Sequence, residues 1–299
     1  MKKYLIMTLL VCLIGGHAFS QGYTFKVLAN RGENKIKTGS ETKPLKTGAS
    51  LKAEDELIVS SNAYLGLVHS SGKTMELKEA GSHKVSELAQ KVSQGGSSVA
   101  SKYADFVLSK MSAEGKKNRL SATGAVHRGI GEPINIYLPN SISDVYGEEA
   151  IIRWDSAQTS QLYKVVVKNM FEDIIFELET NENSMVIDMK DEKIAKENVL
   201  LVEVIDQNDE STKPEARAVR KLDNEKTKQV KTQLDELMEG VEEVTALNQF
   251  ILAGFFEENN LLADALRSYE EALTLAPEVD TFREAYEEFL IRNGMIATN

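Results

Sequence analysis

Residues 261–277 read LLADALRSYEEALTLAP. Apolar side chains recur there at steps of three and four (Leu262, Ala265, Leu266, Tyr269, Ala272, Leu273), the spacing that puts them on one helical face, and Pro277 stops the run. Upstream, Phe250 to Glu258 has the same period and is separated from it by Glu258-Asn259-Asn260. Further upstream Val230, Leu234, Leu237, Val241, Val244 and Leu247 make another stripe, and Phe282 to Arg292 follows Pro277. The reading is four antiparallel helices with short turns over 226–299.

Within them Leu252, Ala253, Phe256, Ala265, Tyr269, Ala272 and Pro277 have the spacing of a tetratricopeptide repeat, which this end of the chain resembles. Gln249 stands where that pattern has an early aromatic residue. One repeat cannot bury its face alone, so the helices before and after it are expected to cap it. The resemblance implies a concave helical surface for a protein or peptide segment. It makes the inner-helix polar residues Asn248, Gln249 and Glu257 the candidate partner contacts.

The chain ahead of the helices has a different period. From Tyr23 to about Val85 short alternating runs (Phe25 to Ala29, Leu57 to Val59, Tyr64 to Val68, Thr74 to Leu77) are separated by polar turns, with a hairpin expected at Ser70-Ser71-Gly72-Lys73. Leu45, Gly48, Leu51, Asp55, Ser60-Ser61, Ala63, Leu65, Gly72, Leu77 and Gly81-Ser82 give residues 22–88 a resemblance to the FecR-type β domain of bacterial envelopes. That family includes sigma-factor regulators with a cytoplasmic segment and an anchor ahead of the domain. Neither is read here, so the signalling role is not carried over.

Residues 89–131 are read as a helix over 98–113, with Val99, Tyr103, Phe106, Val107 and Met111 as its stripe, and then a basic, flexible linker. Residues 132–224 return to strand texture at 150–154, 163–167, 174–178, 185–187 and 199–204. Evenly spaced strands with polar connections predict a β-sandwich of immunoglobulin or fibronectin texture, with Trp154 in its core. The expected fold class is multidomain α+β.

Residues 1–20, MKKYLIMTLLVCLIGGHAFS, carry two lysines, an apolar run from Leu5 to Ile14, and small residues Ala18 and Ser20 before Gln21. This is the pattern of a cleaved signal peptide, and the run is too short to span a bilayer. Cys12 lies inside the run behind Val11, which disfavours a lipid-modified cysteine. The expectation is export to the periplasm, the outer surface or the medium, with no membrane span after cleavage. The mature chain then has no cysteine, and each module must rest on burial alone.

The net charge of −11 becomes −13 once Lys2 and Lys3 are removed. Fifteen acidic and four basic residues in 229–299 account for −11 of it, and such a surface repels nucleic acid. No catalytic, cofactor or metal residue is read. Ser71-Gly72-Lys73-Thr74 resembles the end of a phosphate-binding loop, but Leu67 stands where its first glycine belongs and a strand follows. His69, His83 and His127 lack partners at ligand spacing. Asp206 to Glu210 resembles a calcium loop only until Ser211 and Arg217, which replace its glycine and closing glutamate. The expected function is a non-enzymatic envelope scaffold acting through its helical end. The alternative is a module binding cell-wall glycan through its β domains.

Overall fold

In the computed structural model the described residues are 22–92, 98–111, 134–139, 142–155, 162–208, 215–239 and 244–295. The expected signal peptide of residues 1–20 and the expected linker from 114 to Gly131 lie outside them. The molecule has a β-rich N-terminal region and a C-terminal helical bundle, an α+β architecture.

Eight strands open the chain: β1 Phe25–Arg31, β2 Lys35–Thr38, β3 Glu41–Pro44, β4 Ser50–Leu51, β5 Glu56–Val59, β6 Tyr64–His69, β7 Thr74–Leu77 and β8 Gly81–Lys84. They form two four-stranded sheets, ordered β4-β1-β6-β7 and β3-β2-β5-β8. Phe25, Val27, Leu65 and Leu67 of the first sheet meet Leu57 and Val59 of the second in one core, which α1 (Val85–Lys91) closes with Val85 and Leu88. The expected hairpin joins β6 to β7. Gly72 takes φ +92° there, a conformation that L side chains rarely adopt.

β6 is buried on both faces. Leu65 and Leu67 point into the β core, while Tyr64 and Val68 point the other way into a second core built mostly of helices. Those helices are α2 Ser98–Met111, α3 Asn224–Leu237, α4 Ala246–Glu258, α5 Leu262–Leu275 and α6 Asp280–Arg292. The stripe from Val230 to Leu247 does not run as one helix. The hydroxyl of Thr245 accepts the Asn248 N–H at 3.2 Å and caps a new start, so Leu247 belongs to α4. Asp223 caps α3 in the same way by accepting two amides.

α4 is enclosed on almost every side. Phe250 meets Tyr269 of α5 and Phe282 of α6, Phe255 meets Tyr103 of α2, and Leu247 reaches Gly66 of β6. Gly254 lets α2 approach, since a Cβ there would stand 2.5 Å from Val107. Of the helix expected over 98–113, residues 98–111 form α2, whose Tyr103, Ala104 and Val107 pack into the helical core, while 112 and 113 lie outside the described residues.

The remaining strands are β9 Ser143–Val145, β10 Glu149–Arg153, β11 Tyr163–Asn169, β12 Ile174–Thr180, β13 Ser184–Asp188, β14 Val199–Asp206 and β15 Arg217–Lys221. A five-stranded sheet, β12-β11-β14-β15-β9, packs on the pair β10-β13, with β9 parallel to β15 and all other pairings antiparallel. Trp154 is 2% exposed and stands edge-on to Tyr163 in their shared core, as expected of it. The α5 residue Ala263 belongs to that core too.

Candidate functional site

Two seams join the β regions to the helices, and both are built on carboxylates. At the first, Glu76 of β7 accepts the Tyr64 hydroxyl at 2.6 Å and the Leu247 N–H at 3.0 Å, and pairs with Lys78 at 3.0 Å. Burial works against its charge, but these donors together outweigh it and hold its pKa below the ordinary value of 4.5. The same carboxylate therefore serves a free amide in the first turn of α4.

At the second seam Asp264, wholly buried in the first turn of α5, accepts the amides of Tyr146 at 2.8 Å and Gly147 at 2.7 Å from the β9–β10 turn. Burial raises its pKa above 3.8, against the pull of those two amides and of Arg267. A side chain at position 147 would collide with this carboxylate, because a Cβ there would lie 2.7 Å from its Oδ1.

The three candidate contact residues have different settings. Asn248 is 8% exposed, and its side-chain oxygen accepts the Thr74 hydroxyl at 2.6 Å across the first seam. The Glu257 side chain, 6% exposed, binds Arg292 through both oxygens at 2.5 Å, and Tyr269 donates to it at 3.2 Å. Burial opposes the charge on Arg292, and the hydrogen bonds and attraction of Glu257 outweigh it, raising its pKa. Gln249 is half-buried. The structure does not bring these three to one open surface.

The tetrapeptide Ser71–Thr74 also turns out to face the helices. Lys73 donates to the Glu239 carbonyl at 3.1 Å, and Thr74 to Asn248 as above. His69 stacks edge-on against Phe25 and accepts the Ser71 N–H through Nδ1 at 3.1 Å; burial lowers its pKa. His83 lies beside the Glu79 carbonyl, and His127 is outside the described residues, as is most of the calcium-like stretch after Asn208. Among the described residues no group of three or more His, Cys, Asp or Glu side chains could hold a metal ion. No described helix is long and apolar enough to cross a membrane.

Two open features remain. A cavity of about 260 Å³ lies where α3, the α4–α5 turn and the strand β9 meet, lined by Asp144, Lys226, Gln229, Gln233, Asn259 and Asn260 among others. Asp144 is held there by Arg220 in a two-point contact at 2.6 and 3.1 Å. The other feature is the edge of the sandwich. Met170 and Phe171 at the β11–β12 hairpin tip are 61% and 75% exposed, and Ile174 and Leu178 on β12 are 56% and 41% exposed. The tip is set firmly, because Asn169 accepts the amides of Phe171 and Asp173 at 2.9 and 3.0 Å. Apolar residues at both parities of IIFELET (174–180) were the sequence sign of this edge.

No protein-family model matches the chain, and no curated protein matches it either.

Proposed function

We propose that this protein is an exported, non-enzymatic scaffold of the cell envelope. In this reading its C-terminal helices hold two β modules in one arrangement, and the assembled surface docks another protein. The observation that carries the proposal is the enclosure of α4, which among the described residues receives β6, α2, α5 and α6 around it. The charged leader, its apolar run, and a chain without cysteine after Cys12 support export.

The α4–α5 hairpin, crossing through Ala253, Ala265 and Ala272, supports the tetratricopeptide likeness. Here the role of that hairpin is internal: the chain's own β region covers the helix that such repeats offer to partners. The paired four-stranded sheets support the FecR-type likeness, and the antiparallel β12-β11-β14-β15 sheet packed on the β10–β13 pair supports an immunoglobulin-like sandwich. In this reading the exposed apolar rim of the second β region, at Met170, Phe171, Ile174 and Leu178, is the surface offered for docking.

The test is the size of the native assembly. A tagged full-length chain, extracted under native conditions from its source, should run in a complex larger than the chain alone and with a fixed subunit ratio. A chain that runs only by itself removes the scaffold reading.

A second reading, glycan binding, is favoured by the cavity at Asp144. Its carboxamides both donate and accept, which suits a hydroxyl-rich ligand. Calorimetric titration of the full chain with soluble peptidoglycan fragments tests it; heat that disappears in Gln233→Leu supports it, and no heat removes it.

A further inference from the structure

The sandwich is lopsided, with five strands facing two. β12 is the outermost strand of the wide sheet and is hydrogen-bonded to β11 alone, so its other backbone edge carries no strand among the described residues. The narrow sheet does not reach over it. Val165 of β11 is wholly buried, yet Leu178, its direct partner on β12, is 41% exposed, and Val167 is wholly buried beside a half-buried Phe176. Strands alternate their side chains, so β12 has two different faces. Phe176 and Leu178 lie on the core side. Glu177 and Glu179 lie on the outer side, opposite Val166 and Lys164.

Charge makes the outer side selective. Residues 170–189 contain six carboxylates and no basic side chain. Lys164 partly neutralises Glu177 at 2.8 Å, whereas Glu179 is met by the uncharged amide of Gln207 at 2.8 Å, and Glu172, Asp173 and Glu182 flank the strand.

We propose that β12 is a docking edge for an extended segment of a partner protein in which basic and apolar residues alternate. The segment adds as a sixth strand to the wide sheet. Its apolar residues cover Phe176 and Leu178, its lysines or arginines meet Glu177 and Glu179, and Phe171 at the rigid hairpin tip anchors one end. Backbone pairing supplies the binding and the alternate side chains supply the choice of partner. A second copy of this chain is the wrong occupant, because antiparallel pairing of two β12 strands sets carboxylates among carboxylates. The proposal rests on the scaffold reading and names its partner chemistry.

The probe is a displayed library of random ten-residue peptides, panned against the full chain and against the triple variant Glu177→Lys, Leu178→Lys, Glu179→Lys. All three positions are exposed, and an unchanged thermal transition verifies that the variant folds. Peptides enriched on the wild type should alternate Lys or Arg with Val, Ile or Phe, and should bind the variant at least about tenfold more weakly. Amide hydrogen exchange over 174–180 should slow when they bind, which side-chain contact alone would not produce. The proposal is overturned by no enrichment, by acidic or non-alternating peptides, or by equal binding to the variant. It is also overturned by a wild-type dimer in sedimentation that the variant loses, since the occupant is then a second copy. A native complex alongside failed panning sinks this edge but leaves the scaffold; selected peptides with no native complex do the reverse.

Discussion

Leu247 of α4 fills the space left by the missing side chain of Gly66 on β6, where a Cβ would stand 2.8 Å from Leu247 Cδ1 and 3.3 Å from Ala29 Cβ. The β region and the helices touch through this glycine, so the contact tolerates no added volume. Gly66→Ala should destabilise the whole chain by about 1–3 kcal/mol, as overpacking of a filled core does. Urea unfolding measures it, and Gly66→Val should cost more. An unchanged midpoint for both would mean that the seam opens without cost.

Gly254 sets up a contest of two effects. Alanine in mid-helix gains about 1 kcal/mol over glycine. A Cβ there meets Val107 Cγ2 at 2.5 Å, and that overpacking costs about 1–3 kcal/mol. Net destabilisation of Gly254→Ala is expected, and pairing it with Val107→Ala should recover part of the loss in a double-mutant cycle.

The two seam carboxylates should titrate with opposite sign. The pKa of Glu76 is depressed in the folded state, so its contribution is complete above 4.5 and is lost as pH falls through the folded value. The pKa of Asp264 is raised, so its contribution is complete below 3.8 and is lost as pH rises through the folded value. Urea midpoints measured from pH 3 to 7 should therefore keep a smaller acid-side loss in Glu76→Gln, and a smaller loss on the rising side in Asp264→Asn. Parallel profiles for the two variants would contradict the assignment.

Removing the Asp264 carboxyl altogether orphans the buried amides of Tyr146 and Gly147. Asp264→Ala should cost about 1–3 kcal/mol. Hydrogen exchange at residues 146 and 147 should accelerate first, since the loosened contact is local.

Glu257 and Arg292 form a largely buried ion pair between α4 and α6, with side chains 6% and 14% exposed. Replacing either alone should cost about 3–5 kcal/mol, because it strands a buried charge, whereas Glu257→Leu with Arg292→Met should be far milder. Equal losses in single and double variants would place the cost in packing and not in charge.

Much of the local structure was legible in the chain. The runs at Phe25, Leu57, Tyr64, Thr74, Ala150, Tyr163, Ile174, Met185 and Val199 all lie in strands, and each is apolar enough, or alternates strongly enough, to be read alone. β2, β3 and β8 were missed because Lys35–Thr38, Glu41–Pro44 and Gly81–Lys84 are polar edge or near-edge segments with little to bury. The candidate contacts were read from the repeat pattern, which states what two helices do to each other. It is silent on a β sheet laid against them, and that sheet is what surrounds Asn248. A sign was present in Tyr64 to Val68, grouped above with the alternating runs although it holds no polar residue and is too continuously apolar for a strand with a wet face.

The pairing of Tyr64 with Phe282, ring centroids 5.7 Å apart, joins the sixth strand of the chain to its last described helix. A ribosome or an export channel releases the first of these long before the second. Until α6 emerges, Tyr64 lacks Phe282, and the cover that α2 and α4 lay on Leu28, Tyr64 and Val68 stays incomplete. Contacts so distant along the chain also make closure slow. Docking of α6 should therefore come last in folding, after an interval in which apolar surface of the β region is open to aggregation.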